Sequence, residues 1–235
     1  MIEILAKLLA LREVDETIHK VEGMMADLAH EASRLRKRIE EIDLAWERRR
    51  EEHNQLRHAA NTKTLEVDET DERIRSYQKK LDEDIISYKE MEYLREQVAY
   101  LRKRLEELEE EALGLLDEVE ADARKLVEDE EAYRKKRADI EAELNKVEAQ
   151  RADLEKQRRS LLARREEALA QLPPHLREHY QRLHESVSDP VVPVEDGACG
   201  GCHLRLSETT LERVREGREV VVCENCSRFL YSRWR

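Results

Sequence analysis

The sequence predicts a mostly α protein: a long antiparallel two-helix coiled-coil hairpin followed by a small three-strand domain built around paired cysteines. Three observations lead there. Charged residues make up 42% of the 235 positions and aromatics only 4%, with 6 Gly and 4 Pro in the whole chain. Such charge with so few turn-formers leaves long solvated helices or disorder, and excludes sandwiches, barrels and doubly wound sheets, which need many Gly and Pro turns. Apolar residues repeat every 3.5 positions over the first 170 or so residues, which decides for helices. The only four cysteines come as two C-x₂-C pairs close to the carboxyl end.

Proline and glycine divide the chain. Between Met1 and Leu172 there is no proline, and the only glycines are Gly23 and Gly114; the four prolines all lie between Pro173 and Pro193. Proline removes a helical donor and clashes with the preceding turn, so Pro173-Pro174 is the first firm boundary. The expected organisation is a hairpin over 1–172, a short helix and linker over 173–189, and a compact domain over 190–235.

In the first helix, stepping alternately by three and four residues from Ile4 to Leu81 meets 23 positions, of which 18 are apolar. The 40% apolar composition would supply about nine. The polar interruptions include Arg49, His53 and Lys63, close to a seam tryptophan, Trp46, read as core packing or a contact site. In the second helix the row Met91, Val98, Leu105, Ala112, Val119, Leu126, Tyr133, Ile140, Val147, Leu154, Leu161, Ala168 contains no polar residue. Its companion row begins Leu94, Leu101, Leu108, Leu115, then turns polar at Asp122, Asp129, Lys136, Glu143, Gln150, Gln157 and Arg164. A thinner apolar stripe is expected along that last part.

The heptad register runs without a break through the middle, so one very long helix in a parallel dimer is the competing architecture. A hairpin tip near 82–87 is favoured. Ser87-Tyr88-Lys89-Glu90 fits a capping box, and Ile86 with Met91 fits a hydrophobic staple. A parallel dimer would also set Asp122, Asp129, Lys136, Glu143 and Arg164 against their own copies, whereas folding back faces them with the apolar-rich start of helix one. The arms then match at about 80 residues, or about 120 Å, each. Beyond Pro174, the spacing of Leu176, Tyr180, Leu183 and Val187 marks a short amphipathic helix, and Pro190 and Pro193 bracket a short β-like stretch, Val191 to Val194, leading into Gly197.

Cys199, Cys202, Cys223 and Cys226 form two knuckles separated by 20 residues. Paired short spacings let four thiolates converge on one tetrahedral Zn²⁺, and an all-cysteine set leaves no open position, so one structural zinc per chain is expected. Two disulfides are disfavoured because the amino terminus lacks the basic region and small-residue cleavage site of a signal peptide, and intracellular thiols stay reduced. A redox C-x-x-C would sit singly in a βαβ context that this sequence lacks. His203-Leu204-Arg205-Leu206 reads as a strand, Ser207 to Gly217 as a capped helix, and Val220–Val222 and Arg228–Ser232 as two further strands. The expected product is a three-strand zinc ribbon with a helical insertion, too small to fold without its metal.

These residues resemble a bacterial family of coiled-coil hairpin proteins with a carboxyl-terminal four-cysteine zinc ribbon, of largely unknown function. The resemblance covers the whole chain. Its most specific parts are Cys199-Gly200-Gly201-Cys202 and the run Cys223-Glu224-Asn225-Cys226-Ser227-Arg228-Phe229-Leu230-Tyr231, similar to the family's Cys-x-x-Cys-Gly-Arg-x-Leu-Tyr ending. Tyr88-Lys89-Glu90-Met91-Glu92-Tyr93-Leu94 resembles its hairpin-tip segment. Ser227 departs from the family's glycine at the second knuckle. The resemblance implies a cytoplasmic adaptor or regulator, described in the family as nucleic-acid-binding, with members linked to flagellar gene expression, secretion and the enhancer-dependent alternative sigma factor.

Function classes separate on charge and motif. The net charge of −12 gives no long-range attraction to nucleic acid or anionic lipid, and no run of 18 apolar residues offers a membrane span. Residues 197–235 nevertheless carry seven Arg against five Glu. Arg228, Phe229, Tyr231, Arg233, Trp234 and Arg235 mix cations with aromatics that can stack on unpaired bases, so RNA or DNA is one candidate partner. Against it, Phe229 and Leu230 can pack the ribbon while the arginines pair with glutamates, and the sequence leans slightly to that reading. No P-loop, GxGxxG, GxSxG or HExxH is present, so no enzyme is expected. His175, His179 and His184 read as ordinary surface residues. The expectation is therefore a non-enzymatic cytoplasmic adaptor, monomer or weak dimer, with a protein partner and no membrane contact.

Overall fold

The computed structural model describes residues 2–232. Helix α1 (Ile2–Glu83) and helix α2 (Tyr88–Ala170) form the hairpin. They are followed by α3 (Pro174–Ser186), β1 (Val191–Glu195), β2 (Ala198–Cys199), α4 (Glu208–Glu216), β3 (Val221–Val222) and β4 (Phe229–Ser232). The chain turns where the capping signal lies: Ser87 Oγ accepts from the Glu90 amide at 3.3 Å, and the Ser87 carbonyl accepts from Met91 at 2.9 Å. Among the described residues no helix is long and apolar enough to cross a membrane. Two compact units divide the chain, Arg34–Leu144, and Met1–Ser33 with Asn145–Arg235.

In the first unit the buried row is Leu35, Ala60 and Ile74 from α1, with Leu94, Val98, Leu108, Ala112 and Ile140 from α2. The polar interruptions of the two seams meet each other. Arg49 grips Asp122 through both terminal nitrogens (2.7 and 3.2 Å) and Asp129 through Nε (2.8 Å), and His53 Nδ1 lies 2.8 Å from Asp122. Lys63 pairs with Glu111 at 3.0 Å. Trp46 stacks on Tyr133 with centroids 5.2 Å apart, while the Tyr133 hydroxyl and Arg137 both donate to Asp43. Opposite charges at partly shielded positions specify register more than they add stability, because desolvation offsets much of the attraction.

Along α2 the structure corrects one expectation. Lys136, Glu143, Gln150, Gln157 and Arg164 are exposed and take no part in the buried seam with helix one. A straight α-helix drifts by about 20° per heptad against a 3.5-residue repeat. Beyond Leu126 the companion row accordingly moves one residue on, to Arg137, Leu144, Arg151, Arg158, Arg165 and Leu172, of which all but the exposed Arg151 are buried or half-buried. Its arginines find acids on α1: Arg137 with Asp43 at 3.1 Å, Arg158 with Glu22 at 2.8 Å and Arg165 with Asp15 at 2.6 Å.

The second unit joins the base of the hairpin to the small domain. The sheet order is β2-β1-β4-β3, with β1 and β4 parallel (Val191 opposite Phe229, Val192 opposite Leu230) and the outer pairs antiparallel. Strand alternation sends the two faces to different cores. Val191 and Phe229 pack with Leu8, Leu11, Leu169, Leu172, Tyr180 and Leu183, while Val192 and Leu230 pack with Cys199, Cys223, Leu206, Val214 and Val221. The sheet has four strands, not the three expected. Asp196 and Gly197 both take positive φ (47° and 76°), the conformation of a two-residue hairpin turn, and fold Val191–Glu195 back onto Ala198–Cys199. His203–Leu206, expected as a strand, makes only an isolated bridge between Arg205 and Ala198. Helix α4 keeps its expected ends: Ser207 Oγ caps the Thr210 amide at 3.3 Å, and Gly217 closes the helix at φ 62°.

Candidate metal centre

Each cysteine pair is held by a tight turn. His203 N donates to the Cys199 carbonyl at 2.8 Å, and Ser227 N donates to the Cys223 carbonyl at 2.9 Å. The residue after each knuckle is left-handed, His203 at φ 59° and Ser227 at φ 61°. Ser227 therefore adopts the geometry that the related family's glycine would take at no steric cost. Gly200 is required by close approach, since a Cβ there would lie 2.7 Å from the Pro193 carbonyl oxygen, which itself accepts from the Gly200 amide at 2.9 Å.

These turns aim amides at sulfur. Cys199 Sγ accepts from the Gly201 and Cys202 amides, and Cys223 Sγ from those of Asn225 and Cys226. The four sulfurs lie within 4.8 Å of one another, with Cys199 to Cys226 at 3.7 Å and Cys202 to Cys223 at 3.8 Å. Zn–S bonds of about 2.3 Å make a tetrahedron with edges of about 3.8 Å, so two of the sulfur pairs already stand at that separation and none exceeds 4.8 Å. Donor set and spacing both fit one structural Zn²⁺, held by Cys199, Cys202, Cys223 and Cys226. Burial pushes the Cys199 thiol up to about 12. Burial also pushes Cys226 upward, but the amide and guanidinium of Arg228, with neighbouring thiols, more than offset this and hold it at about 7. A bound cation makes thiolates of all four, because its charge far exceeds these local effects.

Polar contacts anchor the knuckles to the rest of the second unit. Glu224, between the second pair of cysteines, accepts from Ser207 at 2.6 Å and from the Thr210 hydroxyl, which sets its carboxyl below the usual range. His179 Nε2 donates to the Ser227 carbonyl at 2.8 Å, and its ring meets Phe229 edge-on at 4.9 Å. Asp15 is buried, accepting from Arg165 Nε and the Tyr180 hydroxyl, each at 2.6 Å, with His184 Nδ1 at 3.5 Å. Burial first, and Asp15 second, push the Tyr180 phenol far above its ordinary value. His179 is thus a structural contact and not the ordinary surface residue expected, while His175 and His184 stay exposed as expected. The buried row of α1 runs Leu8, Leu11, Asp15, Ile18; an acid on a core row, with a tyrosine that needs a partner, was the signal available.

The residues weighed as nucleic-acid contacts have other tasks here, in line with the packing reading that the sequence slightly favoured. Phe229 is fully buried in the core at the hairpin base, so no base can stack on it. Tyr231 is half-buried; its hydroxyl accepts from Arg12 at 2.9 Å, and the same guanidinium lies over its ring at 5.9 Å. Arg228 is half-buried, and its Nε donates to the Asp189 carbonyl at 3.0 Å. Arg233, Trp234 and Arg235 lie outside the described residues.

Fold and site together define a coiled-coil hairpin protein that carries a C4-type zinc ribbon. The chain belongs to the family with the CT398-like coiled coil hairpin domain, whose model matches residues 11–188; a C4-type zinc ribbon domain model matches residues 198–230. Among solved structures the chain is similar to CT398 from Chlamydia trachomatis, with 22% identity, 98% of each chain covered and a TM-score of 0.78. A protein from Mycobacterium smegmatis shares 20% identity over 98% of each chain, at a TM-score of 0.65. The HP0958 protein of Helicobacter pylori shares 20% identity over 99% of this chain and 98% of its own, at 0.52. At these identities the likeness is one of fold. No curated protein matches the sequence.

Proposed function

We propose that this chain is a non-enzymatic adaptor that binds a protein partner through its coiled-coil hairpin, with the zinc ribbon as a folded end-piece of the hairpin base. One observation carries the reading. Of the twelve large apolar side chains left exposed among the described residues, nine lie in Arg34–Leu144: Leu44, Leu65, Leu113, Leu116 and Val127, with Ile85, Tyr88, Tyr93 and Tyr100 in and after the tip. Tyrosine is among the residues that supply most binding energy when a partner buries it, and each exposed aliphatic side chain gains free energy on leaving water. The zinc centre supports a non-catalytic role, because four thiolates complete its tetrahedron and leave no position for a substrate.

A second reading is RNA or DNA binding through the ribbon, favoured by Arg205, Arg215 and Arg218, which stay exposed there. Photo-crosslinking separates the two. A benzophenone amino acid placed at Tyr88 or Tyr100, and in parallel at Leu204, is irradiated in cells. Discrete protein adducts from the hairpin positions, with no salt-sensitive binding of mixed single-stranded RNA or duplex DNA at about 150 mM salt, are expected. Micromolar, salt-sensitive nucleic-acid binding without hairpin adducts would reverse the order of the two readings.

A further inference from the structure

A zinc ion with four thiolates carries a net charge of −2, and its stability depends on what surrounds the sulfurs. Cys199 and Cys223 are buried and receive two amide hydrogen bonds each. Cys226 is half-buried, with Arg228 two residues on favouring its thiolate, and the Arg228 carbonyl closes the second knuckle by accepting from the Cys223 amide at 2.8 Å. That side chain reaches two other places. Its Nε donates to the Asp189 carbonyl in the segment between α3 and β1, 3.0 Å away. Its stem lies across the first knuckle so closely that a Cβ on Gly201 would come within 2.6 Å of Arg228 Cδ. Arg228 thus joins the second knuckle, through its own backbone, to the backbone of the first and to the segment that leads into the sheet.

We propose that Arg228 is the positioning residue of the metal centre: a cationic clasp that stabilises the zinc-thiolate dianion at Cys226 and locks the two knuckles together. Gly201 follows from it, since any larger residue would displace the stem. The requirement is for arginine specifically. A guanidinium presents several donors in one plane and can serve sulfur and carbonyl together, whereas an ammonium is a point charge on a mobile stem. The inference also withdraws Arg228 from the surface cations available to an outside ligand.

The test uses the full-length zinc protein and its cobalt-substituted form. Arg228→Met keeps an apolar stem against Gly201 and removes the charge and the donors; Arg228→Lys restores the charge alone. Outer partners of metal ligands are typically worth about 10- to 100-fold in metal affinity. Zinc transfer to a chromogenic chelator should therefore be at least about tenfold faster in Arg228→Met, with Arg228→Lys intermediate. In the cobalt form the thiolate-to-metal charge-transfer band should move to longer wavelength in Arg228→Met, because a sulfur that loses a donor holds its lone pair less tightly. Packing alone would not move that band. Release within about twofold of the parent, with an unmoved band, would overturn the proposal. If Arg228→Met holds no metal, Arg228→Lys decides: release between parent and full loss supports the clasp, and release at the parent rate with an unmoved band refutes it.

Discussion

Asp15→Ala is the most informative single perturbation outside the metal centre. The Asp15 side chain is 5% exposed and that of Arg165 14%, with 2.6 Å between them, and the Tyr180 hydroxyl sits at the same distance in a fully buried position. Removing one partner of a buried ion pair costs about 3–5 kcal/mol, mostly because the other charge stays buried without compensation. The orphaned tyrosine hydroxyl would alone cost about 1–3 kcal/mol, but both penalties arise from one missing carboxylate and do not simply add. His184, 3.5 Å away and 39% exposed, contributes little. A loss of about 3–5 kcal/mol is therefore expected, against about 1.5–3 for Tyr180→Phe, which breaks one charge-assisted hydrogen bond. Native-state hydrogen exchange along α3 reads it, because Tyr180 and Leu183 are that helix's buried contacts. The double variant should lose less than the sum of the singles, by about 0.5–3 kcal/mol. A change below about 1 kcal/mol in Asp15→Ala would refute the claim that this network holds α3 to the hairpin base.

Four further outcomes are expected. Chelating the zinc should unfold the ribbon and bare Leu8, Leu11, Leu169 and Leu172, seen as a rise in fluorescence of an apolar-surface dye, while amides of Arg34–Leu144 keep their protection. Ser227→Gly should stabilise the second knuckle by about 0.5–1 kcal/mol by relieving a left-handed non-glycine residue, less the extra freedom of glycine when unfolded; the chelator concentration for half-release should rise. Gly200→Ala should lower that concentration, because the new methyl meets a backbone carbonyl that cannot swing aside. Hydrogen bonds from Arg49 and then His53 hold the Asp122 carboxyl below the usual range. Its stabilisation is complete above the unfolded value of about 3.9 and is lost as pH falls through the lower folded value. Asp122→Asn should flatten the acid limb of thermal unfolding below about pH 4, and an unchanged limb would count against the pairing.

The secondary structure was legible wherever one short-range rule decided it. A heptad row without polar residues, a capping box at Ser87, proline at 173 and 174, and Ser207 and Gly217 at the ends of α4 each act within a few residues, and the corresponding elements stand where expected. The zinc ligands were legible for the same reason: a C-x₂-C turn brings its own sulfurs together, and two such turns need only meet. The β-like stretch at Val191–Val194 was legible; its place in a four-stranded sheet was not, because Val191–Glu195 pairs with Phe229–Ser232, more than 30 residues away, and Ala198–Cys199 joins through the Asp196-Gly197 turn.

Composition, periodicity and cysteine spacing by themselves determined that this chain folds as a coiled-coil hairpin with a four-thiolate metal site. Those features are local or periodic, and free energies that accumulate residue by residue can be read residue by residue. Only the tertiary structure decided which polar residues are interior. Asp15, Arg165 and His179 look like surface residues in sequence and become buried or half-buried contacts. Phe229 and Arg228 could be read in sequence as packing residues or as a ligand-binding tail, and become a core residue and a clasp. Helix drift against the heptad and the docking of a sheet on the hairpin base set these roles. Both depend on where residues distant in sequence come to lie, which no local pattern encodes.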